Sequence, residues 1–145
     1  MTDEARVVTL TGLRAGALQA FRRGTMLFLL LGGVQIFLAG LGVFDLDGQT
    51  LGSSGETAFD PHRLNGDIMS AVALLLLILV LLARPGGRLI VEAAVLLVLM
   101  AVAQPLLASL GEDRAWLGGL HAVVGIGLLG LASRMLVDSK LSLPS

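Results

Sequence analysis

Cysteine is absent from this chain, which excludes disulfides, thiolate zinc sites and cysteine-ligated iron–sulfur clusters. Tyrosine is absent and tryptophan occurs once. No basic block or Gly-Lys-Ser/Thr loop is present, so the usual means of stacking on nucleic acid or cradling phosphate are missing. Charge is scarce as well. Only 14% of the 145 residues are charged, against 55% apolar, and mean hydropathy is +0.88. A soluble domain of this size needs charge to cover its surface, so lipid is the implied solvent. No Ser/His/Asp arrangement or paired carboxylate stands at a plausible spacing, and hydrolase chemistry has no support.

What is present is a set of long apolar runs, giving helices at about 24–44, 62–83, 89–110 and 116–137. Each is about 20 residues, which at 1.5 Å per residue spans a hydrocarbon core of roughly 30 Å. Unpaired backbone is too costly in lipid for these runs to be anything but helices. The expected fold is therefore all-α: a polytopic four-helix transmembrane bundle over 24–137, with a basic segment at 1–23 and a tail at 138–145. The basic segment reads either as a short amphipathic surface helix from Ala5 to Arg23 or as a frayed tail. Pro105 should bend the third helix and free the carbonyl of Ala101. Asp60 reads as the cap of the second helix, with Pro61 at its first position.

Basic residues set the expected orientation. Arg6, Arg14, Arg22, Arg23, Arg84, Arg88, Arg134 and Lys140 all fall on one side, and only Arg63 and Arg114 on the other. That other side also carries Asp45, Asp47, Glu56 and Asp60, in a turn-rich loop from Asp45 to Asp60. The positive-inside rule then places both termini in the cytoplasm and the chain in the plasma membrane.

The chain also repeats itself. Gln35-Ile-Phe-Leu-Ala-Gly-Leu-Gly42 matches Gln104-Pro-Leu-Leu-Ala-Ser-Leu-Gly111 at five of eight positions. The second helix of each half carries one of the two histidines, each followed four residues later by glycine: His62/Gly66 and His121/Gly125. Two repeated helical hairpins running in the same direction are expected.

Polar side chains inside a bilayer are costly and are by default functional candidates. Gln35 lies in a stripe with Gly32, Ala39 and Gly42, and Gln104 in the equivalent stripe with Ala101, Ala108 and Gly111. His121 shares a face with Gly118, Ala122 and Gly125. Stripes of small residues face other helices rather than lipid, so these side chains point into the bundle. Histidines on alternate helices, with glycines one turn away, are what a bis-histidine heme requires. On this reading His62 and His121 are the axial ligands of heme b, Gln35 and Gln104 are supporting donors, and Arg63 pairs with a propionate. Helix lengths pose an objection. Counted from Arg84 and Arg134, His62 stands about 33 Å and His121 about 20 Å above its anchor.

At these residues the chain resembles a family of small four-helix membrane proteins of unknown function common in actinobacteria. The matching parts are Gln35…Ala39-Gly40-Leu41-Gly42-Val43-Phe44, Phe59-Asp60-Pro61-His62-Arg63…Gly66, Gln104-Pro105-Leu106-Leu107 and Leu120-His121…Gly125. More distantly it resembles one half of heme A synthase, a four-helix bundle with His-Arg opening its second helix and Leu-His near the start of its fourth. His62-Arg63 and Leu120-His121 fit that pattern, and the resemblance implies heme ligation by both histidines. The glutamate that precedes His-Arg in that family is missing here, and only one half is present.

Two function classes follow: a heme-binding bundle for electron transfer or heme handling, and a cofactor-free accessory protein. The second would pack with a larger membrane complex or with itself. A transporter ranks behind both, because no carboxylate stands near midplane to couple ions.

Overall fold

The computed structural model describes residues 12–48 and 58–141. Among them are four helices long and apolar enough to cross a membrane. They are α1 (Gly12–Gly48), α2 (Asp60–Ala83), α3 (Gly87–Asp113) and α4 (Ala115–Leu141). Each helix packs on its chain neighbours, and α4 closes the ring against α1, making a four-helix bundle. The lipid-facing surface is apolar: Leu30, Phe37, Val91 and Val123 are all more than half exposed. In water such a surface would aggregate, and in a bilayer it is solvated. The protein is a multi-pass membrane protein.

The helix ends depart from the sequence reading in instructive ways. α1 is helical from the first described residue, Gly12, and runs unbroken for 37 residues, so 12–23 are continuous with the first helix. Leu18 and Phe21 are fully buried there, showing that Arg22 and Arg23 mark a change of surroundings and not the end of a helix. At its other end α1 continues to Gly48, past the expected start of the loop; residues 49–57 of that loop, like 1–11 and 142–145, lie outside the described residues. Asp60 makes no capping hydrogen bond. Phe59 is the N-cap residue of α2, Pro61 follows in the first turn, and the Phe59 carbonyl accepts from the Arg63 amide at 2.9 Å. α2 ends with Arg84 in the left-handed region (φ 49°), its amide returning to the Val80 carbonyl. Pro85 then prevents continuation.

The effect of Pro105 is local. One turn before it, Leu99–Ala103 widen into a π-helical turn, after which α3 resumes at Gln104. Proline cannot donate to the carbonyl four residues back, and a π turn is one way for a helix to absorb that loss.

Packing differs sharply between the halves of the bundle. Call the end with the α3–α4 turn the upper end. The contiguous apolar core extends downward from Phe28, Met69, Met100 and Leu128, and among the described residues Leu117 is the one buried apolar side chain above it. Phe21, Leu76, Val80, Leu96 and Met135 fill the lower half without exposure. An ion cluster around one buried carboxylate sits there too. Glu92 is 5% exposed and one of its oxygens takes Arg88 at 2.9 Å and Arg134 at 2.6 Å, while Arg88 also reaches Asp138 at 3.0 Å. Arg88–Glu92 is a local pair one turn apart on α3; the bond from Arg134 ties α4 to α3.

Candidate functional site

In the upper half the polar side chains take the place of a core. Gln35 of α1 and His62 of α2 clasp each other: the Gln35 amide donates to the His62 backbone carbonyl at 3.0 Å, and His62 Nδ1 lies 3.2 Å from the Gln35 backbone carbonyl. Gln104 of α3 and His121 of α4 do the same. Gln104 Nε2 donates to the His121 carbonyl at 3.1 Å and His121 Nδ1 faces the Gln104 carbonyl, also at 3.1 Å. A carbonyl can only accept, so Nδ1 carries the proton in both rings and the neutral imidazole leaves Nε2 with its lone pair. This backbone-fixed tautomer is the usual arrangement of a metal-ligating histidine.

The glycines four residues after each histidine lie against the clasps, where an added Cβ would make an ordinary contact. A Cβ on Gly66 would stand 3.4 Å from Gln35 Nε2, and one on Gly125 would stand 3.7 Å from Gln104 Nε2. Higher up, the α3–α4 hairpin closes glycine on glycine: a Cβ on Gly111 would meet the Gly118 backbone at 2.8 Å. The α1–α2 hairpin instead uses Gly42 to admit the Phe59 ring, which then meets His62 edge-on at 6.3 Å.

The structure brings His62 and His121 together across the bundle, with ring centroids 6.2 Å apart. The objection from helix lengths disappears because Arg134 is not at a helix end. It pairs with Glu92 of α3 while α4 runs on at least to Leu141. Measured along the helices, His62 stands about 30 Å above Ala83 and His121 about 30 Å above Leu141.

A slot separates the hairpins at this level. On the α1/α4 side it is a cavity of about 270 Å³ lined by Gly32, Ile36, Ala39, Ala122, Gly125 and Ile126, among others. On the α2/α3 side it is one of about 600 Å³ that includes Arg63, Gly66, Asp67, Ser70, Pro105 and Ala108. Both histidines and both glutamines line both cavities. The expected stripes of small residues are thus only partly packed: Gly111 meets Gly118, whereas Ala101 and Ala108 are exposed and face the slot. One mouth is apolar. The other holds Arg63, whose guanidinium lies 3.5 Å from Asp60 and 3.9 Å from Glu112.

Sequence reasoning missed Asn65. It is 6% exposed, and its amide donates to Gln35 Oε1 at 2.6 Å and to the Leu31 carbonyl at 3.0 Å. Its place one turn after His62 on a buried face was the available signal.

Among the described residues no three His, Cys, Asp or Glu side chains come together as an ion site. A bare ion would have a pair of protein donors here. A flat macrocycle brings its own equatorial donors and needs only the axial pair, with a slot between them. A metal–imidazole bond is about 2 Å, and with the ring radius added, opposed axial imidazoles stand roughly 6 Å apart between centroids. The two rings have that separation and a slot lies between the hairpins, while His62 Nε2 lies 3.2 Å from Gln35 Nε2 and would have to leave it to hold a metal.

The fold and site thus define a membrane-embedded helical bundle with a slotted, histidine-paired upper half. Residues 35–112 match a family of unknown function (DUF6220), and the chain belongs to that family. The match begins at Gln35 and includes His62 and Gln104; His121 lies beyond its end. No curated protein and no solved structure matches the chain.

Proposed function

We propose that the slot binds heme b between His62 and His121, for electron transfer or heme handling. The observation that carries the proposal is the meeting of the chain's two histidines, one from each hairpin, across a slot open at both sides. Each ring is fixed by its own glutamine. His121 Nε2 has no hydrogen-bond partner among the described residues and His121 lines both cavities, so its lone pair is available to a metal. The likeness of His62-Arg63 and Leu120-His121 to one half of heme A synthase points the same way.

The proposal includes an internal repeat. Adding 69 to positions on α1 and 59 to positions on α2 turns Gln35, His62 and Gly66 into Gln104, His121 and Gly125. The same offsets relate the two mouths. Arg63, Asp67 and Ser70 on one side correspond to Ala122, Ile126 and Leu129 on the other. A duplicated scaffold with one polar and one apolar mouth suits a macrocycle whose carboxylates leave by one edge. Arg63 stands at the polar mouth, its guanidinium 3.5 Å from Asp60 and 3.9 Å from Glu112, and would pair with a propionate there. The proposal also places both termini in the cytoplasm, by the arginine distribution, with the slot in the outer half.

The deciding measurement is an absorption spectrum of protein purified in mild detergent from heme-replete cells, oxidised and then reduced. A Soret band with a sharp reduced α band supports the site, as does loss of that low-spin signature in both His62→Ala and His121→Ala. A heme-free spectrum after addition of hemin ends the proposal and leaves a cofactor-free accessory protein.

A further inference from the structure

We infer that the two histidines are unequal, with His121 a fixed axial ligand and His62 an exchangeable one that Gln35 can hold off the metal; this rests on the heme reading.

The clasps match in their backbone contacts and differ at the ring. Gln35 Nε2 lies 3.2 Å from His62 Nε2 as well as 3.0 Å from the His62 carbonyl. With Nδ1 protonated, Nε2 can only accept, so the second hydrogen of the Gln35 amide caps the lone pair that would bind iron. The orientation of that amide is settled by its surroundings. Asn65 donates to Gln35 Oε1 at 2.6 Å, and a reversed amide would set donor against donor there and oxygen against the His62 carbonyl. His62 therefore has both ring nitrogens satisfied within its own hairpin.

His121 has no such cap. Gln104 Nε2 reaches only its backbone carbonyl. The position corresponding to Asn65 is Val124, which cannot orient the glutamine, and the one corresponding to Phe59 is Gly118, which cannot brace the ring. The difference between the hairpins thus falls on three side chains around one histidine: Gln35, Asn65 and Phe59.

A heme bound here would be held by His121, and the lone pair of His62 Nε2 would be shared between the Gln35 N–H and the metal, with the proton staying on Nδ1. While Gln35 caps His62, such a heme would be open to a small uncharged diatomic ligand, which two permanently bound histidines would exclude. Such an arrangement suits ligand sensing or gated ligand chemistry better than simple electron transfer.

Carbon monoxide is the probe, added to reduced protein purified with heme in mild detergent and followed by the Soret shift. Wild type should bind it. His62→Ala should keep its Soret band in high-spin form and bind carbon monoxide more tightly. His121→Gly should lose heme on gel filtration and regain it with added imidazole, which separates a missing ligand from a misfolded chain. Gln35→Leu and Asn65→Leu remove or loosen the cap, so His62 should compete better and carbon monoxide affinity should fall about fivefold, the equivalent of one ordinary hydrogen bond. Equal heme loss in both histidine variants, retention in His121→Gly without imidazole, or unchanged affinity in Gln35→Leu would overturn the inference while leaving the heme reading intact. A wild-type protein with no Soret band would end both.

Discussion

Gln104 and His121 hold α3 and α4 together by exchanging hydrogen bonds with each other's backbone, at 3.1 Å in both directions. In lipid there is no hydrophobic drive to bring helices together, so such bonds and close backbone packing carry the association. Gln104→Leu should lower stability by about 1 kcal/mol, the usual range for an interhelical bond in a membrane. Thermal melting in detergent, with or without cofactor, checks it. Gln19→Leu, outside the site on an exposed stretch of α1, is the control and should leave the melting temperature unchanged.

Gly111→Ala should be worse than Gly118→Ala. The added methyl at Gly111 would sit 2.8 Å from the Gly118 backbone, which cannot yield without parting the helices, whereas one at Gly118 finds its nearest neighbour at 3.9 Å. Forced separation of this kind costs about 1–3 kcal/mol. Gly127→Ala, with nothing within 4 Å, should be silent in the same melt.

Glu92→Gln should loosen the lower half of the bundle. The carboxylate is buried, and its charge is what holds Arg134 of α4 against α3. The amide keeps the shape and loses the charge, so a loss of about 1–3 kcal/mol is expected, below the range for a fully buried pair because Arg134 is half exposed. The upper site should be untouched, so any heme spectrum should be unchanged while the melting temperature falls.

The chain's lack of cysteine makes topology mapping direct. Gly86→Cys in the α2–α3 turn should be protected from impermeant thiol reagents in intact cells, and Asp113→Cys at the α3–α4 turn should react. Reversal of the two would overturn the orientation drawn from the arginines.

The sequence alone determined the class of solvent, the number of helices and the candidate residues. Four apolar runs of spanning length can satisfy their backbone in lipid only as helices, and polar residues are so expensive there that Gln35, Gln104 and the two histidines stood out. Helix ends were less legible. Arg22 and Arg23 look like a boundary because hydropathy changes there, yet the backbone needs no apolar side chains to stay helical, and α1 is already helical at Gly12. Tertiary structure alone decided that His62 and His121 meet, since their heights depend on how far α4 continues past Arg134, which is paired with Glu92 of α3. It also decided that the small residues at Ala101 and Ala108 border a slot and not a tight seam, and that Asn65 orients Gln35. Periodicity tells which face of a helix points inward. The distance to the opposite helix, and so whether small side chains make a contact or a space, depends on the large residues that pack elsewhere in the bundle, here Phe28, Met69, Met100 and Leu128 directly beneath the slot.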